Sequence, residues 1–287
     1  MVQRERIADN VYFFQSEVYA QVTAGIVAGP KWAVAIDTLP TPDETLQMRD
    51  FVEQHLGIPV RYVIDTHYHA DHSWGNCFFP GAMVLAHSRC REYLIARGLP
   101  SLESVRQQDP TFRQIKLVLP HMTFREGTMT LKVGKKTLRI IPLPGHSHDG
   151  IGVLVMEDRV LFAGDVFMPL PYIVDGNIAT MRRSLRRIGE LPLENVVQGH
   201  GDVILRGEVE AAVKSNLHYL DVIEAEVEKA HEYEYPWDYL TEVTLEKAGK
   251  SRILLGGLAS ALHYRNLKAL YKQKYGVLPA ESEYEEE

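Results

Sequence analysis

The chain has 287 residues, 45% of them hydrophobic and 24% charged, as expected of a globular protein with one large core. Its formal net charge of −7 argues against a nucleic-acid partner, and the lone basic run, RRSLRR at Arg182–Arg187, reads as a solvated helix face. Two cysteines, Cys77 and Cys90, give no disulfide framework; no apolar signal core opens the chain and no stretch is long enough to span a bilayer, so a cytoplasmic location is expected.

The first half alternates strand and helix signals. GIVAGPKWAVAID reads as a hairpin around Gly29–Pro30, ending at Asp37. TPDETLQMRDFVEQHLG follows as a helix, with Thr41 as N-cap, Pro42 at its first position, Glu44 completing a capping box and Gly57 as the stop. VRYVID is a short buried strand, and directly after it comes THYHADH, with His67, His69, Asp71 and His72 in one loop. AMVLAH is a strand and SRCREYLIARG a helix capped by Ser88. TMTLKV and TLRIIPL form a hairpin running into PGHSHDG with His146, and GVLVMEDRVLFAGD is another, ending at Asp165. NIATMRRSLRRIGEL is a helix, and NVVQGHGD a short strand delivering His200. From about Leu205 the chain turns helical by period, which divides it into a catalytic domain, 1–205, and a helical C-terminal extension, 206–287, packed on the core. His218 and His263 in that extension read as exposed or interhelical, and the tail ESEYEEE as frayed.

A single histidine is usually an ordinary surface or core residue. Four metal-type side chains in the order H-x-H-x-D-H are expected by chance only on the order of once in thousands of chains this long, so the cluster reads as a metal site. His146, Asp165 and His200 then add three ligand-type residues at later strand ends, where layered α/β proteins place their chemistry.

THYHADH, PGHSHDG, LFAGDVF and VVQGHGD, in that order, resemble the metallo-β-lactamase-fold superfamily of metallohydrolases, over roughly residues 10–205. The resemblance implies a four-layer αββα sandwich with the metal site at one edge. It implies one metal on His67, His69 and His146, a second on Asp71, His72 and His200, and Asp165 bridging them. Two Zn²⁺ suit these ligands, with Fe or Mn as alternatives. A bridging hydroxide would cleave an ester-like bond, Asp71 would orient it and relay its proton, and Asp37 would fix a ligand histidine from behind.

Departures from particular subgroups narrow the substrate. Met168 stands where acyl-homoserine lactonases carry a catalytic tyrosine, and His69 where flavodiiron proteins carry glutamate. The glutathione-binding signature of glyoxalase II-like thioesterases is not recognisable. A small thioester, ester or lactone is therefore expected, with no nucleic-acid or membrane partner, and homodimerisation left open. The alternatives are a mononuclear iron enzyme resembling the persulfide dioxygenases, a β-lactam-hydrolysing member, or a metal-stabilised scaffold. This last is disfavoured because a structural zinc site needs four ligands, not seven. His148, two residues beyond His146, would either lie on the same side of an extended loop and donate to the oxyanion, or turn back and cap the loop backbone. Tyr68, Trp74, Phe167 and Tyr172 flank the ligands as candidate pocket walls.

Overall fold

The computed structural model describes residues 2–282; Met1 and 283–287, most of the acidic tail expected to fray, lie outside the described residues. Two sheets face each other. The first runs β1 (Gln3–Ala8), β2 (Val11–Gln15), β3 (Thr23–Ala28), β4 (Ala33–Ile36), β5 (Val60–Ile64), β6 (Met83–His87) and β7 (Met122–Phe124), side by side in chain order. It is antiparallel as far as β4 and parallel from β4 to β7. The second runs β8 (Met129–Val133), β9 (Lys136–Pro142), β10 (Ile151–Val155), β11 (Val160–Gly164), β12 (Asn195–Gln198) and β13 (Ile204–Leu205). There only β11 and β12 are parallel, and helix Ile178–Gly189 makes the crossover between them.

Strands such as AVAI of β4 and VLFAG of β11 are buried along their whole length because both faces of each sheet are covered. Between the sheets, Val27, Ile36, Ile64 and Leu85 meet Leu138, Ile140, Val153 and Phe162. Outside the first sheet, Ile26, Ala35 and Val63 pack on Met48, Phe51 and Val52 of the helical segment after Thr41. Outside the second, Ile141, Leu161 and Val196 pack on Leu185 and Ile188 of the crossover helix and on Tyr219 and Leu220 of helix Val209–Ala230. The result is the αββα sandwich, with helices Val209–Ala230, Pro236–Thr241 and Ala259–Tyr275 added after it.

Several local expectations are corrected. Glu44 does not reach back to the backbone of Thr41; its buried carboxylate accepts from Ser16 Oγ (3.0 Å), the Glu17 amide (3.2 Å) and Thr41 Oγ1 (3.1 Å), fixing the loop after β2. The helix after β6 is capped by His87, whose Nδ1 accepts from the Arg89 amide at 3.2 Å, while Ser88 Oγ is unpartnered. It also does not stop at Gly98, because Leu99–Gln108 continues it, with Pro100 tolerated in the first turn. Of the basic run, Arg182 is not a free surface charge; it pairs with Asp221 (2.8 Å) and Glu224 (2.5 Å) of the next helix. Both cysteines are free thiols.

Candidate metal centre

The predicted site residues lie where strands run out at one edge of the sandwich. β5 ends at Ile64, and the next loop and short helix Ala70–Ser73 carry His67, His69, Asp71 and His72. His146 lies in the loop after β9, Asp165 directly follows β11, and His200 lies just past β12. Two glycines permit this crowding. Gly164 has φ +58° and its Cβ would lie 2.7 Å from Thr66 Oγ1; a Cβ on Gly199 would lie 1.9 Å from Asp165 Oδ1.

His69 Nδ1 lies 3.0 Å from His67 Nε2 and 2.8 Å from His146 Nε2. Asp165 stands beside them, with Oδ2 3.3 Å from His146 Nε2 and 3.7 Å from His67 Nε2. It also faces a second group: Oδ1 is 3.2 Å from His72 Nε2, and Oδ2 is 3.3 Å from His200 Nε2. Asp71 Oδ2 completes that group, 3.6 Å from His200 Nε2 and 3.9 Å from His72 Nε2. The chain thus brings together His67, His69, His146 and Asp165 in one cluster, and Asp71, His72 and His200 in the other.

The outer edges of the rings decide what the centre can hold. His146 Nδ1 donates to the Tyr172 carbonyl and His200 Nδ1 to the Ala20 carbonyl, each at 2.8 Å. His72 Nδ1 donates to Asp37 and His69 Nε2 to Asp175, each at 2.9 Å. His67 Nδ1 donates to Thr66 Oγ1 at 3.1 Å, because that hydroxyl gives its own proton to Asp37 at 2.7 Å. Carbonyls and carboxylates only accept, so the ring protons sit outside and five lone pairs point inward.

When each ring carries only its outer proton, five lone pairs and two carboxylates share this volume. His72 Nε2 and Asp165 Oδ1 are accordingly buried without a hydrogen-bond partner. That array is repulsive by itself and fits divalent cations: nitrogens about 2.0–2.1 Å from a tetrahedral zinc would stand roughly 3.3 Å from one another. Electrostatics set two pairs of rings apart: burial favours the neutral form of His67 and His146, while burial is outweighed at His72 and His200 by Asp165 and Asp71, which favour positive charge there. Burial holds His67 well below the usual imidazole range and His146 at about 4, so both are neutral at pH 7. Burial opposes charge on His72 as well, yet Asp165, Asp71 and Asp37 outweigh it and hold that ring well above the usual range. The carboxylates around His72 therefore favour positive charge there.

Asp37, read from sequence as a support, accepts from the Thr66 amide and hydroxyl, each at 2.7 Å, besides His72. Its φ of +57° is one of the strained backbone positions near the centre, with Ala20 (+45°) and Gln21 (+53°) beneath His200. Asp175 was not anticipated. It accepts from His69, from Tyr68 Oη at 2.8 Å and from Arg97 at 3.2 Å. The His69 hydrogen bond first, then those of Tyr68 and Arg97, hold it well below the carboxylate range against the opposing effect of burial. In sequence, its only mark is the Asp175–Gly176 pair, which reads as an ordinary turn.

His148 is not brought to the centre. The loop is not extended there: the Gly145 amide bonds the Ser147 carbonyl at 3.1 Å, so the alternation needed to put His148 beside His146 is lost. His148 is exposed and lines a separate cavity with His87, Arg89 and Arg125. Phe167 likewise does not line the site; it is fully buried in the core outside the second sheet. In the helical addition, His263 is buried between Tyr219 Oη (3.1 Å) and the Val243 carbonyl (2.7 Å), and His218 is exposed.

A cavity of about 400 Å³ opens onto both clusters. Tyr68, Trp74 and Tyr172 line it as expected, and Tyr19 and Arg97 join them. Part of its wall comes from the helical addition, through Leu255, Leu258, Leu262 and Arg265. No sequence signal pointed to this wall, because helical periodicity reveals a buried face without saying what it is buried against.

Comparison with known proteins gives a consistent picture. The family model described as metallo-beta-lactamase superfamily matches residues 19–200. The human protein named acyl-coenzyme A thioesterase MBLAC2 is 27% identical over 225 residues, 68% of this chain and 79% of its own. A beta-lactamase-like protein 2 homolog of Caenorhabditis elegans is 26% identical over 50% of this chain, a match spanning 43% of that protein. Among solved structures, the sec-alkylsulfatase Pisa1 from Pseudomonas sp. superposes with a TM-score of 0.76 at 15% identity, over 96% of this chain and half of its own. A metallo-beta-lactamase from Pontibacter korlensis gives 0.61 at 18% identity, over 75% of this chain and 99% of its own.

Proposed function

Because this chain belongs to the metallo-β-lactamase superfamily and is a hydrolase of it, we propose that it uses two divalent metal ions, zinc by preference, to hydrolyse a thioester, ester or lactone of a small molecule. The observation that carries the reading is the set of five imidazoles and two carboxylates, Asp165 buried and Asp71 partly exposed, directed at one another and opening on a 400 Å³ cavity. His67, His69 and His146 would hold one ion, Asp71, His72 and His200 the other, and Asp165 both. Ions there would supply Lewis acidity, lowering the pKa of water and polarising the bond to be cut.

The chain's own residues do the rest. Asp71 is the partly exposed carboxylate of the centre, so it is placed to accept the proton of the attacking water. Tyr68 and Tyr172 line the cavity beside the clusters, and Asp37 and Asp175 keep His72 and His69 in the tautomers that leave the cavity-side nitrogens free. Thioesters rank first among the candidates because two independent kinds of support meet there: an apolar-walled cavity, and a relative named as an acyl-coenzyme A thioesterase. A cytoplasmic, reducing location is proposed on the two free thiols; no described helix is long and apolar enough to cross a membrane.

The test joins elemental analysis of protein purified without added metal to a panel of thioesters, esters, lactones, β-lactams, phosphodiesters and alkyl sulfates. Two zinc ions per chain and thioester turnover are expected. Asp71→Asn should keep the fold and lose roughly two or more orders of magnitude in turnover. One iron per chain with oxygen uptake on a persulfide would replace the proposal with the iron oxygenase alternative.

A further inference from the structure

The part of the cavity wall that the helical addition supplies has a composition that hydrolysis alone does not require. Leu258, 43% exposed, and the half-buried Leu262 present aliphatic side chains to the cavity, while Leu255, 2% exposed, belongs to the core. The backbone that aims them is strained. Leu255 has φ +56° although it is not glycine, and Gly256 and Gly257 follow at +65° and +92°. A β-carbon in this conformation is unfavourable, and such strain persists where the surroundings demand a particular side-chain position.

One helical turn beyond Leu262, on the same face, comes Arg265. The cavity's other guanidinium, Arg97, is committed to Asp175 at 3.2 Å and Tyr68 Oη at 3.1 Å. Arg265 lines the cavity and makes no hydrogen bond or ion pair with any described residue. Arg265, Tyr19, Asp71 and Asp165 all line this one cavity of about 400 Å³, so the guanidinium stands within a substrate's length of the reacting groups.

We propose that the helical addition selects the substrate: Leu258 and Leu262 receive an aliphatic chain, and Arg265 receives an anionic group of the same molecule. The substrate class is thus an anionic amphiphile, such as a fatty-acyl thioester whose thiol part carries a carboxylate or phosphate. The inference rests on the thioester-hydrolase reading for the reaction. In that reaction the oxygen of water bonds to the acyl carbon, the C–S bond breaks, and the thiol leaves with one of the water's protons.

Three probes separate the parts: the octanoyl thioester of 3-mercaptopropionate, the octanoyl thioester of neutral N-acetylcysteamine, and the acetyl thioester of 3-mercaptopropionate. With metal-loaded protein, Arg265→Glu should lower the anionic-to-neutral ratio of kcat/KM by roughly 10- to 100-fold, the range of a charge-assisted hydrogen bond. Leu258→Asn with Leu262→Asn should instead lower the octanoyl-to-acetyl ratio. An unchanged charge ratio in Arg265→Glu overturns the assignment of Arg265, and an unchanged chain-length ratio overturns that of the leucines.

Calorimetric titration with the uncleavable thioether 3-(octylthio)propanoate supplies a readout that needs no turnover. Wild-type full-length protein should bind it roughly 10-fold or more tightly than Arg265→Glu. Arg265-dependent binding without hydrolysis of any thioester would overturn the reaction and keep the selectivity. Hydrolysis with neither charge nor chain-length preference would do the reverse.

Discussion

The imidazoles of the centre are each anchored by one hydrogen bond on the side away from it, and the partners differ in what they can lose. His146 and His200 are held by main-chain carbonyls of Tyr172 and Ala20, which no side-chain replacement removes directly. His69 is held by Asp175, a side chain that also ties down Tyr68 and Arg97. Asp175→Asn keeps an oxygen for His69 but removes the charge that makes that ring a stronger donor of electron density. Metal affinity, measured by competition with a chromogenic chelator, should fall about 10- to 100-fold, as is typical when such a partner of a ligand histidine is changed. An affinity equal to wild type would show that His69 needs no carboxylate behind it. This is also the scale at which sequence and structure part. The seven converging residues were legible because strand-end motifs with few permitted residue types carry them. Asp175 was not legible, nor were the carbonyls of Ala20 and Tyr172. A carbonyl has no residue identity, and Asp175 reaches His69 only through the folding of a distant loop. His148 shows the opposite error: its spacing fitted, but a turn at Gly145–Ser147 cancelled the alternation on which the reading depended.

At the level of elements, the strands and the capped helix after Thr41 follow from period and end signals, whereas the loop from Met168 to Gly176 is shaped by partners far away in sequence. Asn266, fully buried on helix Ala259–Tyr275, donates to the Pro171 carbonyl at 2.7 Å and accepts from the Ile173 amide at 2.9 Å. Asn216 of helix Val209–Ala230 donates to the Met168 carbonyl at 3.0 Å. The loop so held carries both the Tyr172 carbonyl and Asp175. Asn266→Ala leaves two backbone groups buried and unpaired, at about 1–3 kcal/mol each. A loss of that order in unfolding free energy is expected, accompanied by weaker metal binding; full stability with loosened metal would point to a local rather than a global role. Lys250 lies against the same Asn216, 2.6 Å from its Oδ1, and burial pushes its pKa down to about 8. The unfolded chain holds that proton up to about 10.4. Between those values the unfolded state binds more protons, so stability rises with pH, and the cost of the buried charge is fully present below pH 8. Denaturant titrations of wild type and Lys250→Met should diverge across that window, with wild type gaining on the variant. Parallel curves would mean that Lys250 titrates as an exposed lysine.

Over the whole molecule, composition suggested a catalytic part to residue 205 and a helical extension after it, and that division is better treated as one of function than of folding. The helical addition does not have a core of its own. Tyr219, Leu220, Ile223, Leu267 and Leu270 belong to one continuous apolar cluster with Ile141 and Leu161 of the second sheet and with Leu185 and Ile188 of the crossover helix. Periodicity could mark the inward faces of these helices, but it could not say that the sheet's outer face waits for them. Removing the addition would expose that face, strip the Met168–Gly176 loop of Asn216 and Asn266, and take away part of the cavity wall. Burial of apolar side chains is worth about 1.5–3 kcal/mol each, and a domain's net stability is only about 5–15 kcal/mol, so a few such losses exceed what the remaining part can spare. A chain ending at residue 205 should therefore lack a cooperative thermal transition, bind a hydrophobic dye and fail to retain metal through gel filtration. A truncated chain that melts sharply and keeps its metals would establish residues 1–205 as an autonomous domain, and would leave the helices with substrate selection as their sole task.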